Sequence, residues 1–199
     1  MNDEFLIRKC VNGEASAFNT LVWRWEKPIY NFILRYMGDM DLSKDILQRT
    51  FIRAYGSLAK LKDPARFSSW LYQIALNQCK DELKKKKRHY VPIDDVRRDE
   101  DDPRPKTAVL KSDPAEHPAR MAETEGIAAV LQRALQTIPE EQRVVIIMKQ
   151  YHGLKFSEIA EVLSEPLNTI KSRMYYGLAA LRRTLEGWGL DREELRYEV

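Results

Sequence analysis

Residues 153–185 read GLKFSEIAEVLSEPLNTIKSRMYYGLAALRRTL, and their periodicity sets the fold class. Ile159, Ala160, Leu163, Ile170 and Met174 recur at helical spacing on two segments, about 156–163 and 168–185, joined at Leu163-Ser164-Glu165-Pro166. Helix, short turn and second helix is the pattern of a helix-turn-helix, in which the second helix enters the DNA major groove. On the pattern alone a plain helical hairpin with a polar outer face fits as well. The second segment begins with Asn168, Thr169, Lys171, Ser172, Arg173, Tyr175 and Tyr176. Lys and Arg donate to guanine N7 and O6, Ser and Thr pair with several acceptors, and Tyr and Thr also reach phosphates.

Working outward, the pattern stays helical. Ile127, Val130, Leu131, Leu135 and Ile138 line a helix, and Pro139 opens another with Glu140 and Glu141 in its first turn, ending at Tyr151-His152-Gly153. From Ala15 to Arg88, three apolar stripes follow one another. Phe18, Leu21, Val22, Trp25, Ile29, Phe32, Ile33 and Tyr36 line the first, with Gly38 as its C-cap. Ser43 is the expected cap of a second helix carrying Ile46, Leu47, Phe51 and Tyr55. Phe67, Trp70, Leu71, Ile74, Ala75, Cys79 and Leu83 line the third, which runs into Lys84-Lys85-Lys86-Lys87-Arg88. Between the halves, Pro92, Pro103, Pro105, Pro114 and Pro118 punctuate a charged stretch too poor in large apolar residues to offset its ordering entropy. The expectation is an all-α chain of two small helical domains, 1–92 and 127–186, joined by an extended linker, 93–126, and followed by an acidic tail, 187–199.

The net charge of +3 conceals a partition: residues 1–92 carry +7, 93–126 carry −4, and 127–199 are neutral. Such asymmetry hints at polyanion contact. Two cysteines, Cys10 and Cys79, stand far apart, and three histidines are scattered, so neither disulfide nor metal site is expected. No cofactor is expected. No nucleophile–base pair or phosphate-cradling glycine loop points to an enzyme. With no long apolar run or signal peptide, the chain reads as cytoplasmic and not membrane-inserted.

The opening stretch resembles the region-four domain of bacterial sigma factors of the sigma-70 family, particularly the extracytoplasmic-function (ECF) group. Residues 134–154, ALQTIPEEQRVVIIMKQYHGL, are similar to that family's lead-in. Residues 17–58, AFNTLVWRWEKPIYNFILRYMGDMDLSKDILQRTFIRAYGSL, resemble regions 2.1 and 2.2, and residues 67–88, FSSWLYQIALNQCKDELKKKKR, resemble regions 2.3 and 2.4. Both domains match in order over about three quarters of the chain.

The resemblance implies a factor that joins core RNA polymerase, directs it to promoter DNA and helps open it. It places polymerase contacts at Asp41, Asp45, Gln48 and Arg53. It places recognition of the melted −10 strand at Lys60, Lys62, Arg66, Phe67, Asn77, Lys80, Lys84, Lys87 and Arg88. Flipping a base costs a few kcal/mol, so a pocket must hydrogen-bond the base edge; Asn77 suits this, and also suits a helix–helix hydrogen bond. Trp70 reads as core, while Tyr72 leaves the stripe towards a base. The −35 duplex falls to Asn168, Thr169, Lys171, Ser172, Arg173, Tyr175 and Tyr176. Asp94 to Asp102 either mimic phosphates in polymerase channels or form a solvated tether. An anti-sigma partner is implied by analogy.

Four departures from the family pattern stand out. Arg49 replaces an acidic residue, and Lys155 replaces a Ser or Thr cap, with Ser157 a candidate start two residues on. Asn168 replaces a glycine and is read as tolerating a left-handed backbone. Tyr176-Gly177-Leu178 replaces Arg-Ala-Arg, and Gly177 weakens a helix by roughly 1 kcal/mol relative to Ala. The competing reading is an autonomous helix-turn-helix regulator acting without polymerase.

Overall fold

The computed structural model describes residues 2–89 and 126–190, with side chains to Lys86 in the first stretch. The expected linker up to residue 125, the side chains of Lys87 and Arg88, and residues 191–199 lie outside it. Among the described residues every regular element is helical.

The first unit comprises α1 (Asp3–Val11), α2 (Ala15–Met37), α3 (Met40–Ser57) and α4 (Phe67–His89). The stripes read from the sequence meet in its core, where Leu21, Ile29, Phe32, Ile33, Ile46, Leu71 and Ala75 are fully buried. Gly38 ends α2 in a left-handed conformation (φ 74°), its N–H bonding the Leu34 carbonyl at 2.8 Å. The cap of α3 is Asp39, whose carboxylate accepts from the Leu42 N–H at 3.0 Å. Ser43, expected to cap this helix, is buried one turn inside it and donates to the Asp39 carbonyl.

Helix α1 was not legible in the acidic opening residues. Asn2 caps it by accepting from the Phe5 N–H at 3.0 Å, and Leu6 and Ile7 are buried. Asp3 fastens it to α2, accepting from Trp25 Nε1 at 3.0 Å and pairing with Arg24. It packs on α2 and on two 3-10 turns, Leu58–Lys60 and Pro64–Arg66. The polar loop between α3 and α4 is thus a shaped element: Leu58 is buried, and Asp63 accepts from the Ala65 N–H at 3.0 Å.

The second unit holds α5 (Ile127–Thr137), α6 (Glu140–Ile146) continuing as a π-helical turn (Ile147–Tyr151), α7 (Phe156–Leu163) and α8 (Leu167–Gly187). Val130 and Ala134 of α5 pack with Leu185 and Leu190. Leu190 is 5% exposed and Trp188 packs beside it, so the unit extends past residue 186 and two side chains of the expected tail join its packing.

The two units share one continuous apolar cluster. At their seam the carbonyls of Leu34 and Arg35, in the last turn of α2, accept from Gln132 Nε2 at 3.2 and 3.1 Å, and Arg35 accepts again from Gln136 Nε2 at 2.9 Å. The Leu34 carbonyl also receives the Gly38 N–H, whereas that of Arg35 is among those a helix end leaves without an intrahelical donor. Tyr36 donates to Glu140 beneath the Arg143 guanidinium, which lies 5.4 Å from the ring centroid.

Gly177 has a packing reason that the helical pattern does not reveal. A Cβ there would stand 2.9 Å from Ile146 Cδ1 and 3.1 Å from Gln142 Cβ, so the glycine lets α8 approach α6 closely. Gly187, in the same helix, faces open space. Thermal denaturation should therefore separate two identical substitutions. Gly187→Ala gains up to about 1 kcal/mol of helix propensity. Gly177→Ala should fall below it by roughly 1–3 kcal/mol, the cost of overpacking; equal stabilisation would contradict the close approach.

Candidate nucleic-acid interface

Three surfaces carry the expected functional residues. The first is the outer face of α3, where Asp41, Asp45 and Gln48 are exposed, with Arg53, also exposed, about a third of a turn round the helix from its middle. Ile52 and Tyr55 stand exposed beside them, apolar members of this face that the charge-based reading passed over. Arg49 turns away from it. Its Nη1 lies 2.9 Å from Glu82 Oε2, bridging α3 to α4 and holding the Glu82 carboxyl below the usual carboxylate range. The departure at Arg49 therefore has an internal partner.

The second surface runs along α4. Trp70, Gln73, Asn77, Lys80 and Lys84 recur every three or four residues and so share one face of the helix. Asn77 and Lys84 are exposed, and Trp70, Gln73 and Lys80 half-buried. At the head of this stripe a cleft of about 540 Å³ is bounded by Lys60, Lys62, Arg66, Trp70 and Gln73, with Glu161 of α7 on its far side. Arg66 pairs with Asp63 at 3.4 Å and with Glu161 at 3.2 Å. Gln73, a second amide one turn from Asn77, was missed because it falls between apolar neighbours in sequence.

Two aromatic expectations are corrected here. Phe67, expected among the −10 contacts, is 1% exposed and packs against Trp25 and Trp70, with ring centroids 6.0 and 5.9 Å away. Tyr72, expected to meet a base, is 3% exposed and hydrogen-bonds His152 Nδ1 at 2.9 Å. Trp70, read as core, packs half-buried against it and also forms part of the cleft wall. Lys87 and Arg88 lie outside the described side chains.

The third surface is α8, held by α6 and α7. Ser164, φ 55°, makes the left-handed turn between α7 and α8, while Asn168 sits inside α8 and needs no such backbone. Helix α7 starts at Phe156, not at a start set by Ser157. Glu158 reaches back to accept from the Lys155 N–H at 2.6 Å, the half of a capping box that does not need an accepting side chain at Lys155. Ile170, Met174 and Gly177 face the interior. Asn168, Lys171, Ser172, Tyr175 and Tyr176 are exposed, Tyr175 at 72%, and Thr169 is half-buried. The Tyr175 and Tyr176 rings meet edge-on at 5.5 Å. Arg173 departs from this face. It is 21% exposed and its Nη2 lies 3.1 Å from Glu165 and 3.4 Å from Glu141.

Among the described residues, no group of His, Cys, Asp or Glu is placed to hold a metal ion. Burial pushes the Cys79 thiol up to about 12, which keeps it protonated and unreactive. No described helix is long and apolar enough to cross a membrane.

Comparison with known proteins adds to this geometry. The model of Sigma-70 region 2 matches residues 21–89, and that of Sigma-70, region 4 matches residues 128–181. The RNA polymerase sigma-H factor of Pseudomonas aeruginosa is 29% identical over 184 residues, 92% of this chain and 94% of that protein. The ECF RNA polymerase sigma-E factor of Escherichia coli strain K12 is 29% identical over 181 residues, 91% and 93% of the two chains. Among solved structures, CnrH in complex with the cytosolic domain of CnrY is similar with a TM-score of 0.67 and 22% identity, over 93% of this chain and 97% of that one. The sigma factor RpoE in complex with the anti-sigma factor NepR from Bartonella quintana is similar with a TM-score of 0.63 and 20% identity, over 85% and 96%. These structural likenesses bear on the fold alone.

The seam beside these surfaces has a titratable pin. His152 sits against Phe32 and Tyr72, with ring centroids 5.8 and 5.2 Å away, and its Nε2 is buried without a hydrogen-bond partner. Burial, and secondarily the charge of Arg35, lower its pKa from 6.5 to about 4. The unfolded chain then binds more protons than the folded one between those values, so this contribution to stability is lost as pH falls through that window. Denaturant unfolding at a series of pH values should show this decline in the wild type and a flatter profile in His152→Gln. Parallel profiles would contradict the buried neutral imidazole.

Proposed function

This chain belongs to the sigma-70 family and is an RNA polymerase sigma factor of the ECF group, and on that premise we propose how its surfaces divide the work. Residues 1–92 bind polymerase and the −10 element, residues 127–186 with the packed residues up to Leu190 read the −35 element, and 93–126 connect them. The exposed face of α3, with Asp41, Asp45, Gln48 and Arg53, docks on core polymerase, and Ile52 and Tyr55 add apolar area to that contact. The −10 element is read as a melted strand by the cleft and stripe of α4. The −35 element is read as duplex by α8.

The observation that carries this reading is the order of side chains along α4. Trp70 and the cleft offer a stacking wall, Gln73 and Asn77 offer amides for a base edge, and Lys80 and Lys84 follow at a spacing suited to a strand's phosphates. An unstacked base needs the first two, and its backbone needs the third. Lys60, Lys62 and Arg66 border the same cleft and supply cations at its mouth.

On α8, Lys171 and Ser172 are the base-edge donors, Tyr175 and Tyr176 offer hydroxyls and apolar ring faces, and Asn168 and Thr169 approach the phosphates. The family consists of non-catalytic initiation factors, and no catalytic step is assigned to this chain. It acts where polymerase and promoter meet, in the cytoplasm. The two solved relatives are held in complexes with other chains, and a dedicated anti-sigma partner is part of the same proposal.

The test is to replace one amide. With reconstituted holoenzyme, Asn77→Ala should reduce open-complex formation about tenfold or more, in line with losing a base-edge hydrogen bond. Co-elution of the variant with core polymerase should be unchanged. Open complexes at the wild-type level would remove Asn77 from base reading. An autonomous regulator would instead bind specific duplex tightly without polymerase.

A further inference from the structure

The pattern in sequence sets Arg173 among the base readers, between Ser172 and Tyr175. The folded helix puts it elsewhere. An α-helix turns about 100° per residue, which places Arg173 about 150° around α8 from the middle of the face formed by Asn168, Lys171, Ser172 and Tyr175. It falls instead on the flank of the buried stripe of Ile170, Met174 and Gly177. There its Nη2 is shared between the Glu165 carboxylate at 3.1 Å and the Glu141 carboxylate at 3.4 Å. Both partners belong to the same helical unit as α8, one in the turn before it and one in α6, so the contact does not depend on the seam.

We infer that Arg173 is a positioning residue: it fixes the angle of the recognition helix by tying it to the turn through Glu165 and to α6 through Glu141, and it does not touch the bases. Helix α8 needs such a tie. Its N-terminal residue before the first turn is Pro166, no side chain caps it, and no acidic residue occupies its first turn. Gly177 lets it approach α6 without a side chain that would interlock there. Glu165 lies at the positive end of the helix dipole and is held by Arg173, so one carboxylate serves both the helix terminus and the tie. Base selection is then left to Lys171, Ser172 and the two tyrosines, and Arg173 governs how well all of them are presented.

This inference rests on α8 being the duplex reader, and the experiment keeps the two apart. Holoenzyme carrying each variant transcribes a promoter library randomised at the −35 element, and DNA binding is followed against salt. Lys171→Ala should change which base is preferred. Arg173→Ala should lower output about tenfold across the library while leaving the ranking of bases unchanged, as expected for losing a charge-assisted tie. Glu165→Gln, nearly isosteric, should act in the same direction, and the double variant Glu165→Gln/Arg173→Ala should be no worse than the arginine change alone. The salt dependence should keep its slope in Arg173→Ala, whereas a lost phosphate contact reduces it by about one.

A base preference relaxed at one position by Arg173→Ala, with Glu165→Gln neutral, would overturn the inference in favour of base reading. A reduced salt slope would overturn it in favour of a phosphate contact. If Lys171→Ala, Ser172→Ala and Tyr175→Ala all leave the base ranking untouched, α8 is not the reader, and both inferences fall together.

Discussion

The last turn of α2 is the constraint on which the arrangement of the molecule depends. A helix end leaves carbonyls without donors, and here Gln132 and Gln136 of α5 both donate to that of Arg35, Gln132 reaching the Leu34 carbonyl as well. One residue on, Tyr36 is fully buried and donates to Glu140, with Arg143 over its ring. Burial and the Glu140 carboxylate both raise the Tyr36 pKa, so the hydroxyl stays a donor. A polar end of one helix and an aromatic buried behind it thus dictate where the second unit sits. The outer contact of the seam is different in kind. Arg66 and Glu161 are both well exposed, and such pairs contribute little, about 0–1 kcal/mol.

The charge partition gains a spatial meaning from the fold. The excess of +7 in residues 1–92 includes the loop cations and the lysines along α4. Carboxylates of the second unit face these cations: Glu161 across the cleft, and Glu140, Glu141 and Glu165 around a separate pocket also lined by Lys80 and Arg173. Some of the charge that a composition count assigns to DNA is therefore matched within the protein. Arg49 with Glu82 and Arg173 with Glu141 and Glu165 are cations withdrawn in this way, whereas Lys171 and Lys84 remain exposed.

Much of the fold was legible because its stripes are long. The 3.6-residue period of α2 and α4 and the turn at Leu163–Pro166 leave few alternatives, and Gly38 marks its helix end as expected. What stayed hidden was decided by tertiary contacts. Nine-residue α1 carries only two buried side chains, too short a pattern to read. Asp39 and Ser43 are both good caps by residue type, and only packing shows which is buried. The same holds for the candidate sites. Phe67 and Tyr72 are aromatic residues of a type that stacks on bases, yet their positions turn them into the core. Arg173 is one residue from Ser172 in sequence and on another side of the helix in space. Gly177 reads as a helix weakness until its distance to Ile146 is known.

The measurement that tests this account most directly is transcription by core polymerase, with and without this chain, from a library randomised across both promoter elements. Two separate blocks of base preference should emerge, one read as duplex by α8 and one as melted strand by α4, and both should require chain and polymerase together. A single block, or a sequence preference of full strength shown by the chain alone on duplex DNA, would contradict it.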